Sequence, residues 1–241
     1  MKRKTSEYKL LARQTLIGHY KTPIAGFLVM GLISALLTMP FNSLIGTSST
    51  IRSTIISYLS SFIISLITTV LNVGYCHMLL KMSRNKPYSF SDLFYGLRNQ
   101  PDRYLIVALI MGLISMVLSI PTYFLQQIAI IRQDLSYSTP IIVLSIVTSI
   151  VVIIIELSFG QVYFLLLDNE ELSPIEGLKQ SLRLMSKNKG RLFYMGLSFV
   201  GISLLGLLSF GIGLLWIVPY IVTSEVFFYR DLIGDLDFDN E

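Results

Sequence analysis

The sequence predicts an all-α, polytopic membrane bundle. It has six transmembrane helices in three tandem helical hairpins, each preceded by a cytoplasmic amphipathic helix. Three observations lead there. Hydrophobic residues make up 53% of the 241-residue chain and charged residues only 14%, where a soluble domain carries about 25% charged. The charges cluster, leaving uncharged stretches longer than the roughly 18 residues that mark a bilayer-crossing helix. Finally, "VMGLISALLTMP" from Val29 returns as "IMGLISMVLSIP" from Ile110, 81 residues later.

The spans are expected at Pro23–Gly46, Thr54–Leu80, Tyr104–Ile131, Pro140–Leu167, Leu192–Phe210 and Gly213–Tyr229. The last two are short and separated only by "SFGIG", so a full hairpin and a re-entrant pair both fit. The basic start "MKRKTSEYKLLAR" is not followed by a short apolar run with a small-residue cleavage site. The first span is therefore expected to stay as an anchor.

Lys and Arg distribute unevenly between the connections. Seventeen lie in the N-terminal segment, the second-to-third and fourth-to-fifth connections and the C-terminus, against Arg52 and Arg132 on the other side. The positive-inside rule then puts both termini in the cytoplasm and requires an even number of spans. The net charge of +4 reads as orientation within a membrane, and no nucleic-acid partner is expected.

Met30-Gly31-Leu32-Ile33-Ser34 sits inside the first span and Met111-Gly112-Leu113-Ile114-Ser115 inside the third. Met195-Gly196-Leu197-Ser198 is a weaker copy in the fifth. Pro40 and Pro121 follow at the same offset, and Ser6, Ser89 and Ser173 precede each copy by 24, 22 and 22 residues. A fixed period of this kind marks repeated structural units. A single membrane domain over 1–241 is expected, with units at about 6–80, 89–167 and 173–230 and an acidic tail at 231–241 that is solvated or loosely paired. Units of two spans each share one orientation, so their axis runs along the membrane normal.

The helix before the third unit is the clearest. In "SPIEGLKQSLRLMSKNKG", Ser173 and Glu176 have the spacing of a capping box, and Pro174 occupies the first helical position, where its missing N–H costs nothing. Ile175, Leu178, Leu182 and Met185 share one face, with Lys179, Arg183 and Lys187 on another. An apolar stripe beside a basic face is the pattern of a helix in the headgroup layer. "SFSDLFYGLRN" repeats it with Phe90, Leu93, Phe94 and Leu97 beside Arg98, and "SEYKLLARQTLIGHY" does so more loosely. The other reading is a collar packed only against the bundle. Lys179, Arg183, Lys187, Phe90, Phe94 and Arg98 are the candidate contacts to lipid or a partner.

The run "LSPIEGLKQSLRLMSKNKGRLFYMGLSFVGISLLGLLSFGIGLLWIVPYIVTSEVFFY" resembles the C-terminal signature of the bacterial domain of unknown function 975 membrane proteins, and "LLARQTLIGHYKTPI" resembles their opening. The resemblance implies a bacterial inner-membrane protein of about six helices and implies no activity.

Two carboxylates fall inside spans, Glu156 in the fourth and Glu225 in the sixth. An acid at a helix centre costs about 2.5–3.5 kcal/mol on the insertion scale, so such residues face a partner or a cavity. They are the candidate ion or proton site. The structural alternative has them bonded to hydroxyls such as Ser158, Tyr163 or Thr223. One cysteine, Cys76, excludes an internal disulfide. With two histidines there is little to build a zinc site from, and no metal or cofactor is expected. Phosphate loops, zinc-protease pairs and nucleophile elbows are missing from the sequence. The chain is therefore expected to be a non-catalytic scaffold or accessory factor meeting membrane lipids or another membrane protein. The alternative is a small transporter or channel using Glu156.

Overall fold

A computed structural model describes residues 3–45 and 51–236, without the side chains of 41–45, 51–55, 58 and 135. Eleven α-helices and no strand occur among the described residues. They are α1 (Thr5–Leu16), α2 (Lys21–Ile45), α3 (Ile51–Ser83), α4 (Tyr95–Arg98), α5 (Pro101–Arg132), α6 (Ser138–Phe159), α7 (Val162–Asp168), α8 (Pro174–Met185), α9 (Lys189–Leu197), α10 (Val200–Leu208) and α11 (Leu214–Leu232). Short 3₁₀ turns at Phe90–Phe94 and Leu135–Tyr137 precede α4 and α6.

Five segments are long and apolar enough to cross a bilayer: Lys21–Pro40, Leu59–Ser83, Pro101–Arg132, Ser138–Asp168 and Lys189–Leu208. The expected fourth span is bent, α6 giving way to α7 at Gly160-Gln161. The fifth is broken between α9 and α10 at Ser198-Phe199, inside the weakest copy of the repeated motif. The expected sixth span is α11, which is not among the five apolar segments; Glu225, Arg230 and Asp231 fall within it. The predicted end of the first span, Gly46, lies outside the described residues.

Packing identifies the centre. In α3, 56% of the apolar window is buried, against 6–17% in the other four. α3 touches α2, α5, α7 and α11 and supplies Val70, Val73, Met78 and Leu79 to the core. The outer helices turn large apolar residues outward, among them Leu32, Val117, Phe124, Ile146 and Leu204. A soluble monomer rarely shows so continuous an apolar surface.

Among these helices α2 packs on α3, α5 on α6, and α10 on α11, three successive pairs in contact. The helices between pairs gather at one end, where α3, α7 and α11 finish. Each lies on the second helix of the preceding pair. Leu93 and Gly96 dock on Gly74 and Val70 of α3, with glycines at both crossings because a methyl at Gly74 would lie 1.9 Å from the Leu93 carbonyl oxygen. α8 docks on α6–α7, Gly177 against Leu166 and Ser181 Oγ donating to the Ser158 carbonyl at 3.0 Å. α1 closes the circle by lying on α11 from the other end of the sequence, with the Tyr8 and Phe228 rings edge-on at 5.7 Å.

Candidate functional site

Two regions stand out: the polar end of the bundle and an open, mostly apolar cavity on its flank that holds an acid. At the polar end each helical pair is latched. His19 Nδ1 and the Tyr88 hydroxyl are 2.8 Å apart, joining the approach to α2 with the exit from α3. Arg103, buried at the start of α5, donates to the carbonyls of Asn169 at 2.7 Å and Leu172 at 2.5 Å, beyond α7. Arg191 at the start of α9 pairs with Asp231 at 2.8 Å and also reaches the Tyr8 hydroxyl. Tyr8 donates to Asp231 at 2.7 Å. Burial, with the Asp231 carboxylate beside it, pushes the Tyr8 phenol well above its ordinary value despite Arg191.

A further knot joins the three pairs to one another. Arg84, just past α3, grips Asp168 at the end of α7 and turns its Nε to Asp235 beyond α11. Arg230, 1% exposed, also reaches Asp235 at 2.8 Å and donates to the Ser83 carbonyl at 2.5 Å. Tyr229 donates to Asp168 at 2.8 Å. The Asp168 hydrogen bond raises the Arg84 guanidinium's affinity for its proton further, against the effect of burial. Burial alone would raise the Asp235 carboxyl; the Arg230 and Arg84 hydrogen bonds outweigh it and hold it below its ordinary value. Of the tail expected to be solvated or loosely paired, Asp231 and Asp235 are paired with arginines and are parts of this end's framework. Asp237, Asp239 and Glu241 lie outside the described residues.

The surface residues fall partly as expected. Ser173 Oγ accepts the Glu176 amide at 3.3 Å, and the Ser89 amide donates to Asp92 Oδ2 at 2.7 Å. Ser6 does not cap: α1 begins at Thr5 with Lys4 before it. The stretch after Ser89 forms a 3₁₀ turn and a single α-turn, shorter than the helix expected. Phe90 and Arg98 are exposed and Phe94 half-buried, and Leu93 is the anchor. On α8 the buried stripe is Gly177, Ser181 and Met185; of the apolar set read from periodicity Met185 is in it and Leu178 is half-buried against the core, while Ile175 and Leu182 are exposed. Small residues win this face because they let the helix approach α6–α7 closely. Ile175 and Leu182 are left exposed beside Lys179, Arg183 and Lys187, which are exposed too and form no ion pair among the described residues.

The cavity, about 930 Å³, lies between α3, α5 and α6, and Glu156 lines it. The Glu156 side chain is exposed and has no hydrogen-bond partner among the described residues. Of the hydroxyls proposed as partners, Ser158 donates to the Ile154 carbonyl and Thr223 to Pro219, while Tyr163 lines the same cavity as Glu156. Glu225 is half-buried on α11 and is not part of this lining, so the two acids do not share one site. The second copy of the repeated motif forms one wall, through Met111, Gly112, Leu113 and Ser115. Gly112 is needed there, since a methyl on it would lie 2.6 Å from the Phe62 ring. Gly31 and Gly196, its counterparts, face open space. His77 stacks on Tyr95 with centroids 3.8 Å apart, and Gln161 is buried with its Oε1 unpaired. No cluster of His, Cys, Asp and Glu suited to a metal occurs among the described residues.

No curated protein and no solved structure matches the chain. A family model described as a protein of unknown function, DUF975, matches residues 1–235. The match spans nearly all of the chain, from the arginine latches to the Arg84 knot, and the protein therefore belongs to the DUF975 family.

Proposed function

We propose that the protein is a non-catalytic, multi-pass component of a bacterial inner membrane, with both termini cytoplasmic. It acts as a scaffold or accessory factor whose polar-end helices meet anionic lipid or a membrane partner. The observation that carries this reading is α8, which anchors itself through small residues and leaves Ile175 and Leu182 outward beside three basic side chains that have no ion pair among the described residues. A helix only packed as a collar has no use for that outward face. An outward apolar-and-basic face suits the headgroup layer.

The six-span, three-unit architecture belongs to this proposal. Its support is that α1 and α8 bury residues at the same spacing, Tyr8, Ala12 and Leu16 against Gly177, Ser181 and Met185. The cyclic docking of each polar-end helix on the preceding pair also supports it. α11, at 19 residues, is long enough at 1.5 Å per residue to complete the third pair.

The test is lipid retention. Native mass spectrometry of the solubilised protein should count bound phosphatidylglycerol, and Lys179→Glu, Arg183→Glu and Lys187→Glu together should remove it. Each basic residue near an anionic surface contributes about 1 kcal/mol. Unchanged phosphatidylglycerol retention would end the lipid-contact reading.

One observation favours a second reading, a small transporter or channel: Glu156 stands in a cavity with no partner among the described residues. On that reading, proton or cation flux in proteoliposomes disappears in Glu156→Gln while the fold persists. Flux that is absent from the unaltered protein, or that survives the substitution, would rule it out.

A further inference from the structure

The lining of the α3–α5–α6 cavity selects an occupant. Its volume of about 930 Å³ is that of a small-molecule site, and such sites are mostly apolar with a few placed polar groups. Phe62, Met111, Met116 and Ile155 supply the apolar wall. Three of the lining hydroxyls are committed to their own helices: Ser65 donates to Phe62, Thr69 to Ser65 and Ser119 to Met116. Among the described residues, Glu156 is the single charged group in the lining.

Three kinds of occupant can be compared. A bare divalent cation requires six or more oxygen ligands, or octahedral geometry with retained water; one carboxylate in an apolar space far larger than an ion does not supply them. A lipid tail fills the space but leaves the carboxylate unpaired in an apolar slab, where acids are held by partners. An organic cation with an apolar body satisfies the carboxylate and the wall together. The route in is also apolar, since Leu113, Met116 and Ile120 on the cavity side of α5 are exposed.

We infer that this cavity binds a lipophilic organic cation, its charge against Glu156 and its apolar body along Phe62, Met111 and Met116. The inference rests on the second reading's placement of Glu156 in a ligand-facing site, and it requires no transport.

Tetraphenylphosphonium and tetraphenylborate, nearly the same shape with opposite charge, provide the test by equilibrium dialysis against the full-length protein in nanodiscs. Tetraphenylphosphonium should bind saturably. Glu156→Gln should weaken it about tenfold or more, the loss of a charged contact. Ser115→Leu, which fills the cavity and keeps the acid, should weaken it as well, and tetraphenylborate should show no saturable binding. Melting temperature and elution volume check that each variant folds; if Glu156→Gln does not, Ser115→Leu with the ion pair of probes still decides. Absence of saturable tetraphenylphosphonium binding, equal affinity in a folded variant, or equal binding of both ions overturns the inference. Glu156-dependent proton flux without phosphonium binding would keep the transport reading and discard this occupant. Phosphonium binding without flux would do the reverse.

Discussion

Arg84 grips Asp168 with both terminal guanidinium nitrogens, at 2.5 and 2.8 Å. The two residues close the second helices of the first and second pairs. Because the same guanidinium turns its Nε to Asp235 at 2.9 Å, one side chain ties the ends of all three. Bidentate pairing of this kind combines strength with fixed orientation.

Arg84→Ala should therefore leave Asp168 with only the Tyr229 hydroxyl and Asp235 with only Arg230 among their described partners. Removing one partner of a largely buried pair costs roughly 3–5 kcal/mol, and partial exposure of this cluster places the expected loss toward the lower end. Arg84→Lys keeps the charge and loses the planar fork, so an intermediate loss is expected. Thermal melting in detergent measures both. An alanine variant that melts like the unaltered protein would show that the knot contributes nothing to stability.

The same knot makes stability acid-sensitive. Asp235 is held below its ordinary value in the folded chain, so near that value the folded state binds fewer protons than the unfolded state. Its contribution is full above the unfolded carboxylate value of about 3.9 and is lost as pH falls through the depressed folded value. Asp235→Asn should be less stable than the unaltered protein at neutral pH, and the gap should close on acidification below about pH 4. A gap that stays constant across that window would contradict the assignment.

Glycines separate the crowded positions from the open ones. Gly74→Ala and Gly96→Ala would place a methyl 1.9 and 2.5 Å from the carbonyl oxygens of Leu93 and Val70, undocking the short helix from α3 at about 1–3 kcal/mol or more. Gly31→Ala, with nothing within 4 Å, should stabilise by up to about 1 kcal/mol through helix propensity alone. Equal effects at Gly74 and Gly31, by the same melting assay, would refute the packing described.

Much of the helical plan was legible in the sequence because length and apolarity dictate it. The expected first span, Pro23–Gly46, meets α2 at Lys21–Ile45, and the third, Tyr104–Ile131, meets α5 at Pro101–Arg132. Ser173 was legible as a cap because its chemistry is local. The α8 face was not, because periodicity weighs Leu178 and Leu182 by polarity and has no term for the close approach that Gly177 and Ser181 permit. Nor was the Arg84–Asp168 pair, which joins residues 84 apart through tertiary contact; as a sequence feature Arg84 was one positive charge among seventeen. Glu156 was found by being an acid in an apolar run. Its cavity depends on how α3, α5 and α6 come together, which the sequence does not state.

The central claim is that the polar end, with its basic helices and arginine knot, faces the cytoplasm. Single cysteines on a Cys76→Ser background test it, at Ser136 between α5 and α6 and at Lys187 between α8 and α9. A membrane-impermeant maleimide applied to intact cells should label the Ser136→Cys protein, and should label Lys187→Cys only after lysis. Labelling of Lys187→Cys from outside would contradict the account.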